Sequence, residues 1–581
     1  MKTTLITMNS AKALRVPTTT TTKKVMNKLI YFILAACLIL PASCKKDYLD
    51  KVPLSGPSDA SFYSNQDELM LGLFGCYKAL NFEAKTQRPW PVILDVTTDI
   101  DWNRSNHAMQ EIGKGSHASN NASILVFWRE YYQGIGRCNF LLDNIDRVKD
   151  KITPALYNQV KAEARFLRAI NYHYLIEMFG GVPLITHTVK LEEAQVARNS
   201  KKEVADFVIK EMDEAAKDLP LTVDAKNAGR ATKGAALAIK ARTALYNGDW
   251  TVAADAAKAV MALNAYKLHP DYGQLFTYAG QTSAEIIFAL QYLKGTLTHA
   301  TPNFLTSRMA GGVSNEVPPQ SLIDSYPMKD GLPIDKSPLY DPKAPFKNRD
   351  PRLGYTVVLP NSVLFGYQFE TNPDSLKVWN YNVSPAVRVT NTDATNAFAT
   401  YSGYLYRKYT DIADMADDEN SDMNLILVRY AEVLLIYAEA KIEANQIDAS
   451  VYDAINQVRQ RATVALPALT TGKTQAEMRS IVRLERKCEL AMEGLRLFDI
   501  RRWKIAEKVM PGPLLGRIPK AFLASAPTLD ADGTADYSKI SNRSQMRLIE
   551  TRTFNVNRDY LWPIPNIEIL TNTKLVQNPG W

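Results

Sequence analysis

The sequence predicts a mostly α-helical fold in which helix pairs carry long irregular loops and minor β elements. Three observations support this. Apolar residues recur at the helical spacing through residues 61–263 and return beyond 425. Helix-start signals stand in front of several of these runs. Between Pro270 and Asp422 the period dissolves into frequent proline and glycine with scattered aromatics, the pattern of loops borne on a scaffold.

The chain opens with an export signal. Lys23, Lys24 and Lys28 form a basic region, Leu29–Leu40 is a twelve-residue apolar run, and Ala42 and Ser43 lead into Cys44. A permanent membrane helix needs about 20 such residues; this shorter run suits a secretory signal. Residues 1–25 are Thr-rich and without period, so Met26 is the expected working start. A cysteine directly after a small-residue cleavage site resembles a bacterial lipobox, which implies a lipid on Cys44. The usual Leu at −3 is replaced by Pro41, with Leu40 one place earlier; the competing reading is a plain signal peptide with a cysteine nearby. Residues 44–60, with Pro53, Gly56 and Pro57, then read as a tether that holds the folded part clear of a bilayer.

Charge and cysteines narrow the function. The chain has Lys+Arg 69 and Asp+Glu 61, a net +8. Six of those bases and none of the acids lie in residues 1–43, so the remainder is close to neutral and offers no footprint for nucleic acid. Of the five cysteines Cys37 lies in the signal; with Cys44 acylated, Cys76, Cys138 and Cys488 remain beyond it, and an odd count without CxxC spacing reads as buried thiols. The six histidines are scattered without HxxxH or HExxH spacing, so no metal or cofactor is expected.

Residues 61–80 place Phe62, Leu69, Leu73 and Tyr77 on one helical face, and Ser123–Val148 continues the rhythm. Thr153-Pro154 is a cap followed by proline at the first helical position. The helix it opens is apolar on several sides up to Gly180-Gly181, so it is expected to be buried nearly all round. Ser200 with Glu203 and Thr474 with Glu477 are capping boxes. Ala231–Leu263 holds two alanine-rich helices around Asn247-Gly248-Asp249 and resembles a tetratricopeptide hairpin, although no clean 34-residue repeat runs on. Helices are predicted again over Leu425–Ala444, Ser450–Thr463 and Thr474–Arg502.

Few motifs survive their simpler explanations. Gly472-Lys473-Thr474 resembles the end of a phosphate loop, but Pro467 stands where that loop needs glycine, and the capping box accounts for Thr474. Gly113–Ser116 beside His117 lacks the context of a nucleophile elbow and reads as a loop. The acidic stretches Asp411–Asp422 and Asp530–Asp536 lack an EF-hand's full ligand set and read as solvated loops. Arg483–Trp503 is the densest charge cluster; Glu485, Glu489 and Glu493 at i,i+4, with bases three or four residues away, read as an ion network on a helix surface, not as a catalytic pair. Trp102, among Asp101, Asn103 and Arg104, has two open readings: an indole on which a sugar stacks, or a cap on the core.

Four stretches together resemble the SusD/RagB family of outer-membrane nutrient-binding lipoproteins. They are Cys44 with Leu49-Asp50, AEARFLRAINYHYLIEMFGGVPLI (Ala162–Ile185), LERKCELAMEGLRLFDIRRW (Leu484–Trp503) and WPIPNIEILTNTKLVQNPGW (Trp562–Trp581). The resemblance implies a signal peptide over 1–43, a lipid-anchored tether over 44–60, a helical region with tetratricopeptide-like hairpins over 61–270, and a region of ligand-platform loops and packing helices over 271–581. It also implies a protein lipid-anchored at the outer membrane, surface-exposed, that captures oligosaccharide without chemistry and hands it to a SusC-like TonB-dependent transporter. Trp102 and Asn103 fall where relatives place a stacking aromatic and an amide. Tyr326 and Trp379 join them as candidates from the aromatic-rich irregular segment. Alternatives are a peptide-binding member of the family, a polysaccharide hydrolase, or a scaffold that binds only protein.

Overall fold

The computed structural model describes residues 62–581 except 86 and 106. The signal peptide, Cys44 and the tether lie outside the described residues. Residues Tyr63–Trp581 form one compact unit.

Ten longer helices organise this unit. The first six are α1 (Gln66–Leu80), α2 (Ala122–Asn144), α3 (Pro154–Phe179), α4 (Lys201–Asp218), α5 (Lys233–Tyr246) and α6 (Trp250–Ala262). After the irregular segment come α7 (Tyr430–Glu443), α8 (Ala449–Arg459), α9 (Gln475–Glu489) and α10 (Arg496–Arg502). The start signals act as their chemistry dictates. The Thr153 hydroxyl accepts from the Leu156 N–H, and Ser200 and Thr474 complete their boxes with Glu203 and Glu477. Each of α1 to α6 packs on the next, and α6 packs directly on α7, so the helical array closes across the irregular segment. Alanines let α5 and α6 approach: Ala238, Ala241, Ala253 and Ala257 have no exposed surface. Their turn depends on Gly248 at φ +81. As expected, α3 is buried on all sides from Phe166 to Phe179, flanked by α2 and α4 and bonded to the C-terminal segment where the Trp562 N–H donates to the Met178 carbonyl at 2.8 Å.

Two helix predictions are corrected. Leu425–Arg429 is a buried strand, because a short apolar run looks the same in a buried strand and a buried helix. The stretch Thr474–Arg502 is two helices. Gly494, at φ +69, turns the chain against Pro91, whose carbonyl oxygen would lie 2.5 Å from an added Cβ. The Gly113–Ser116 loop is corrected too: Gly113 lies inside the short helix Ala108–Lys114, which Gly115 caps at φ +78.

The strands are short. They include β1 (Trp102–Asn103), β2 (Ile286–Leu290), β3 (Glu316–Val317), β4 (Val363–Leu364), β5 (Tyr367–Gln368), β6 (Lys377–Asn380), β7 (Val387–Thr390) and β8 (Leu425–Arg429). β1 pairs with β3 and β2 with β8, all antiparallel, and β4 to β7 form a four-stranded antiparallel sheet. The β2–β8 pair ties the start of the irregular segment to its end.

Candidate functional site

The charged stretch 483–503 is interior. Glu485, Arg486, Lys487, Glu489, Arg496 and Asp499 are all buried. This corrects the surface placement while keeping the structural role. Glu489 ends α9 among three guanidinium groups: Arg352 at 2.9 Å, Arg429 at 2.7 Å and Arg461 at 2.7 Å. Glu285 bridges Arg429 and Arg461 at 2.8 and 2.6 Å, and Glu493 bridges Arg429 and Lys408 at 2.7 and 2.6 Å. Burial works against the ionised Glu489 carboxylate, yet Arg461, Arg429 and Arg352 hold it well below the usual range. Burial lowers Lys408 to about 8, with Glu493 acting the other way. A carboxylate locked to three arginines cannot exchange protons near neutral pH, which withdraws Glu489 from acid–base catalysis and leaves these ion pairs a structural part. Instead they rivet Glu285, Arg352 and Lys408, from the irregular segment, onto α9 and its following turn.

Three of the four predicted ligand residues lie inside. Trp102 is 7% exposed and packs with Val317, Leu364, Phe369 and Leu405. Asn103 is fully buried; its Nδ2 donates to Glu316 at 3.1 Å, and Arg88 lies 3.1 Å from the same oxygen. Tyr326 is fully buried and donates to the Cys488 carbonyl. A ligand in solvent reaches none of these side chains in this conformation. Below Trp102, burial raises the carboxyls of Asp101 and Glu316 above their usual range.

Trp379 is the exception, at 37% exposed. It sits on β6 directly opposite Arg388 of β7, whose guanidinium lies 5.3 Å from the indole centre. Tyr381, half exposed and two residues on, stacks beside it with ring centres 6.4 Å apart at 30°. A second exposed group lies on the loop Asn396–Tyr401. Phe398, 63% exposed, has the Arg104 guanidinium 5.4 Å from its ring, and Arg308 Nε donates to its carbonyl at 3.0 Å. Tyr401 packs between Trp102 at 5.7 Å and the Arg547 guanidinium at 5.1 Å. Trp102 thus supports an exposed aromatic while staying in the core. Sequence reasoning missed Phe398 and the arginines; the signal for Tyr381 and Tyr401 was only the aromatic density of the segment. Trp379, Phe398 and Tyr401 each stand beside a guanidinium, which suits a flat, polyhydroxylated ligand: C–H faces rest on rings and hydroxyls accept from arginine.

The acidic loops are engaged with protein. Asp414 accepts from Tyr278 at 2.7 Å, and Lys508 contacts Asp530 and Asp532 at 2.6 and 3.1 Å. Among the described residues no group of three or more His, Cys, Asp or Glu side chains is placed to hold a metal ion, and no helix is long and apolar enough to cross a membrane.

Comparison with known proteins extends these findings. A sequence profile described as the SusD family matches residues 284–581, and one described as starch-binding, associating with outer membrane, matches residues 47–245. SusD-like protein P2 of Formosa agariphila is 25% identical over 568 residues, covering 92% of this chain and 96% of its own. The crystal structure of a SusD-like carbohydrate binding protein from Bacteroides fragilis superposes with a TM-score of 0.76 at 31% identity, covering 89% of this chain and all of that one. A second SusD-like protein of Bacteroides fragilis superposes at 0.72 with 26% identity, over 91% of this chain and all of that one.

Proposed function

The chain belongs to the SusD family, and from that premise we propose that it is a non-catalytic carbohydrate-binding protein of the bacterial outer membrane. In this reading it captures oligosaccharide at the cell surface and delivers it to a SusC-like TonB-dependent transporter. The observation that carries the proposal is the pairing of exposed rings with arginines on loop segments riveted to a helical array, above all Trp379, which lies beside Arg388 and stacks with Tyr381. The relative from Bacteroides fragilis is described as carbohydrate binding, and the profile matching residues 47–245 bears on the outer membrane. The lipid on Cys44 supplies the anchor.

Titration of the purified protein with a panel of neutral oligosaccharides, followed by indole fluorescence and calorimetry, tests the reading. Saturable binding that weakens about tenfold in Trp379→Ala, without a change in melting temperature, is the expected result. No binding across the panel, with the barrel transporter present or absent, overturns it. A reducing-sugar assay that finds sustained turnover overturns the non-catalytic part. Labelled palmitate entering the parent chain but not Cys44→Ala supports the anchor.

A further inference from the structure

A cavity of about 550 Å³ lies where the α5–α6 turn meets α7, α9, α10 and the segment at Tyr560. Its volume falls within the range of small-molecule sites, roughly 300–1,000 Å³. Trp250, Trp503 and Tyr560 give it aromatic walls.

The acids that line the cavity are taken. Glu177 accepts from Lys201 at 2.8 Å, Glu443 from Arg479 at 2.7 Å, and Glu439 from Arg502 at 2.7 Å and the Trp503 indole N–H at 2.6 Å. Two lining cations are left over. Arg501 is only 9% exposed and has no carboxylate within ion-pair distance among the described residues. Its Nη2 donates to the Asp559 backbone carbonyl at 3.1 Å, and its Nη1 is buried without a partner. Lys504 stands exposed, its Nζ 4.1 Å from the Tyr560 ring centre and likewise without a carboxylate. Burial with too little counter-charge pulls Arg501 down to about 10. A buried guanidinium whose nearest carboxylates, Asp559 and Glu177, stand beyond ion-pair distance is under-compensated, and a carboxylate entering the cavity adds counter-charge. Arg501 also borders a void of about 20 Å³ beside His117, room for one water and not for a ligand.

We propose that this cavity binds the carboxylate of a small acidic ligand, held by Arg501 and Lys504, with an acidic sugar unit against the indoles of Trp250 and Trp503. The sugar part rests on the carbohydrate reading above; the carboxylate selectivity does not. The test uses the full chain, with calorimetry and indole fluorescence. Its probes are digalacturonate, the methyl diester of digalacturonate and glutamyl-glutamate.

Digalacturonate binding at least about tenfold more tightly than its diester, and weakening in salt, is the expected result. Arg501→Gln and Lys504→Gln each weaken it, and the second, at the exposed mouth, keeps the parent melting temperature. Equal affinity for acid and ester, or Lys504→Gln and a folded Arg501→Gln both binding as the parent does, overturns the site. Binding of glutamyl-glutamate without digalacturonate keeps the carboxylate site and overturns the sugar. Failure of the neutral panel leaves the acid-to-ester ratio readable, so the two proposals fail separately.

Discussion

Around Glu489, acids and arginines are packed out of reach of solvent; around Trp379, aromatic rings stand in it. The usual distribution is inverted in both places, and for different reasons. An interior charge is tolerable when every lone pair finds a donor, and Glu489 finds donors on Arg352, Arg429 and Arg461. An exposed indole forgoes hydrophobic burial and is tolerable when it is held and shielded, as Trp379 is by Arg388 and Tyr381. The charge-rich motif therefore holds the protein together, while the region without a motif presents the surface on which a ligand can rest.

The contrast is sharpest in stability. Glu489→Gln leaves three buried guanidinium groups short of an anion and is expected to cost about 3–5 kcal/mol by urea denaturation; a loss below about 1 kcal/mol breaks the comparison. Interior acids without a cation partner behave differently. Burial pushes Asp95 up to about 7, above its unfolded value, so the folded chain keeps a proton that the unfolded chain releases. The stability this contributes is complete below about pH 4 and is lost as pH rises through about 7. Relative to Asp95→Asn, the parent should thus lose about 4 kcal/mol across that window, whereas Glu489, held low, does not titrate in it. A parent that gains stability relative to Asp95→Asn as pH rises contradicts the assignment.

Smaller effects follow. Gly494→Ala places a methyl against the Pro91 carbonyl in a left-handed conformation and should cost about 2 kcal/mol, read as a lower urea midpoint. Trp379→Ala should leave stability unchanged and weaken glycan affinity by roughly 1.4 kcal/mol; a fall in melting temperature instead makes Trp379 a packing residue and erases the distinction.

How far the sequence foretells this depends on the range of the interaction. The caps at Thr153, Ser200 and Thr474 are local, and so is the Asn247-Gly248-Asp249 turn; all are legible within a few residues. The burial of Glu489 is not, because Glu285, Arg352, Arg429 and Arg461 come from distant stretches of chain. The strand at Leu425–Arg429 is invisible for the same reason, since its partner is Ile286–Leu290. Trp102 shows the limit for the candidate site. A polar neighbourhood in sequence surrounds a side chain whose real neighbours are Val317, Leu405 and the ring of Tyr401.

The ladder between β2 and β8 has a wider consequence. Residues 291–424 leave and rejoin the frame at one narrow neck, where Ile286 pairs with Arg429 and Leu290 with Leu425. The span beyond that neck is free to vary only in its outer loops: Arg352 and Lys408, which it sends down to Glu489 and Glu493, belong to the joinery beneath, and any replacement grafted between those two strands has to carry both cations with it.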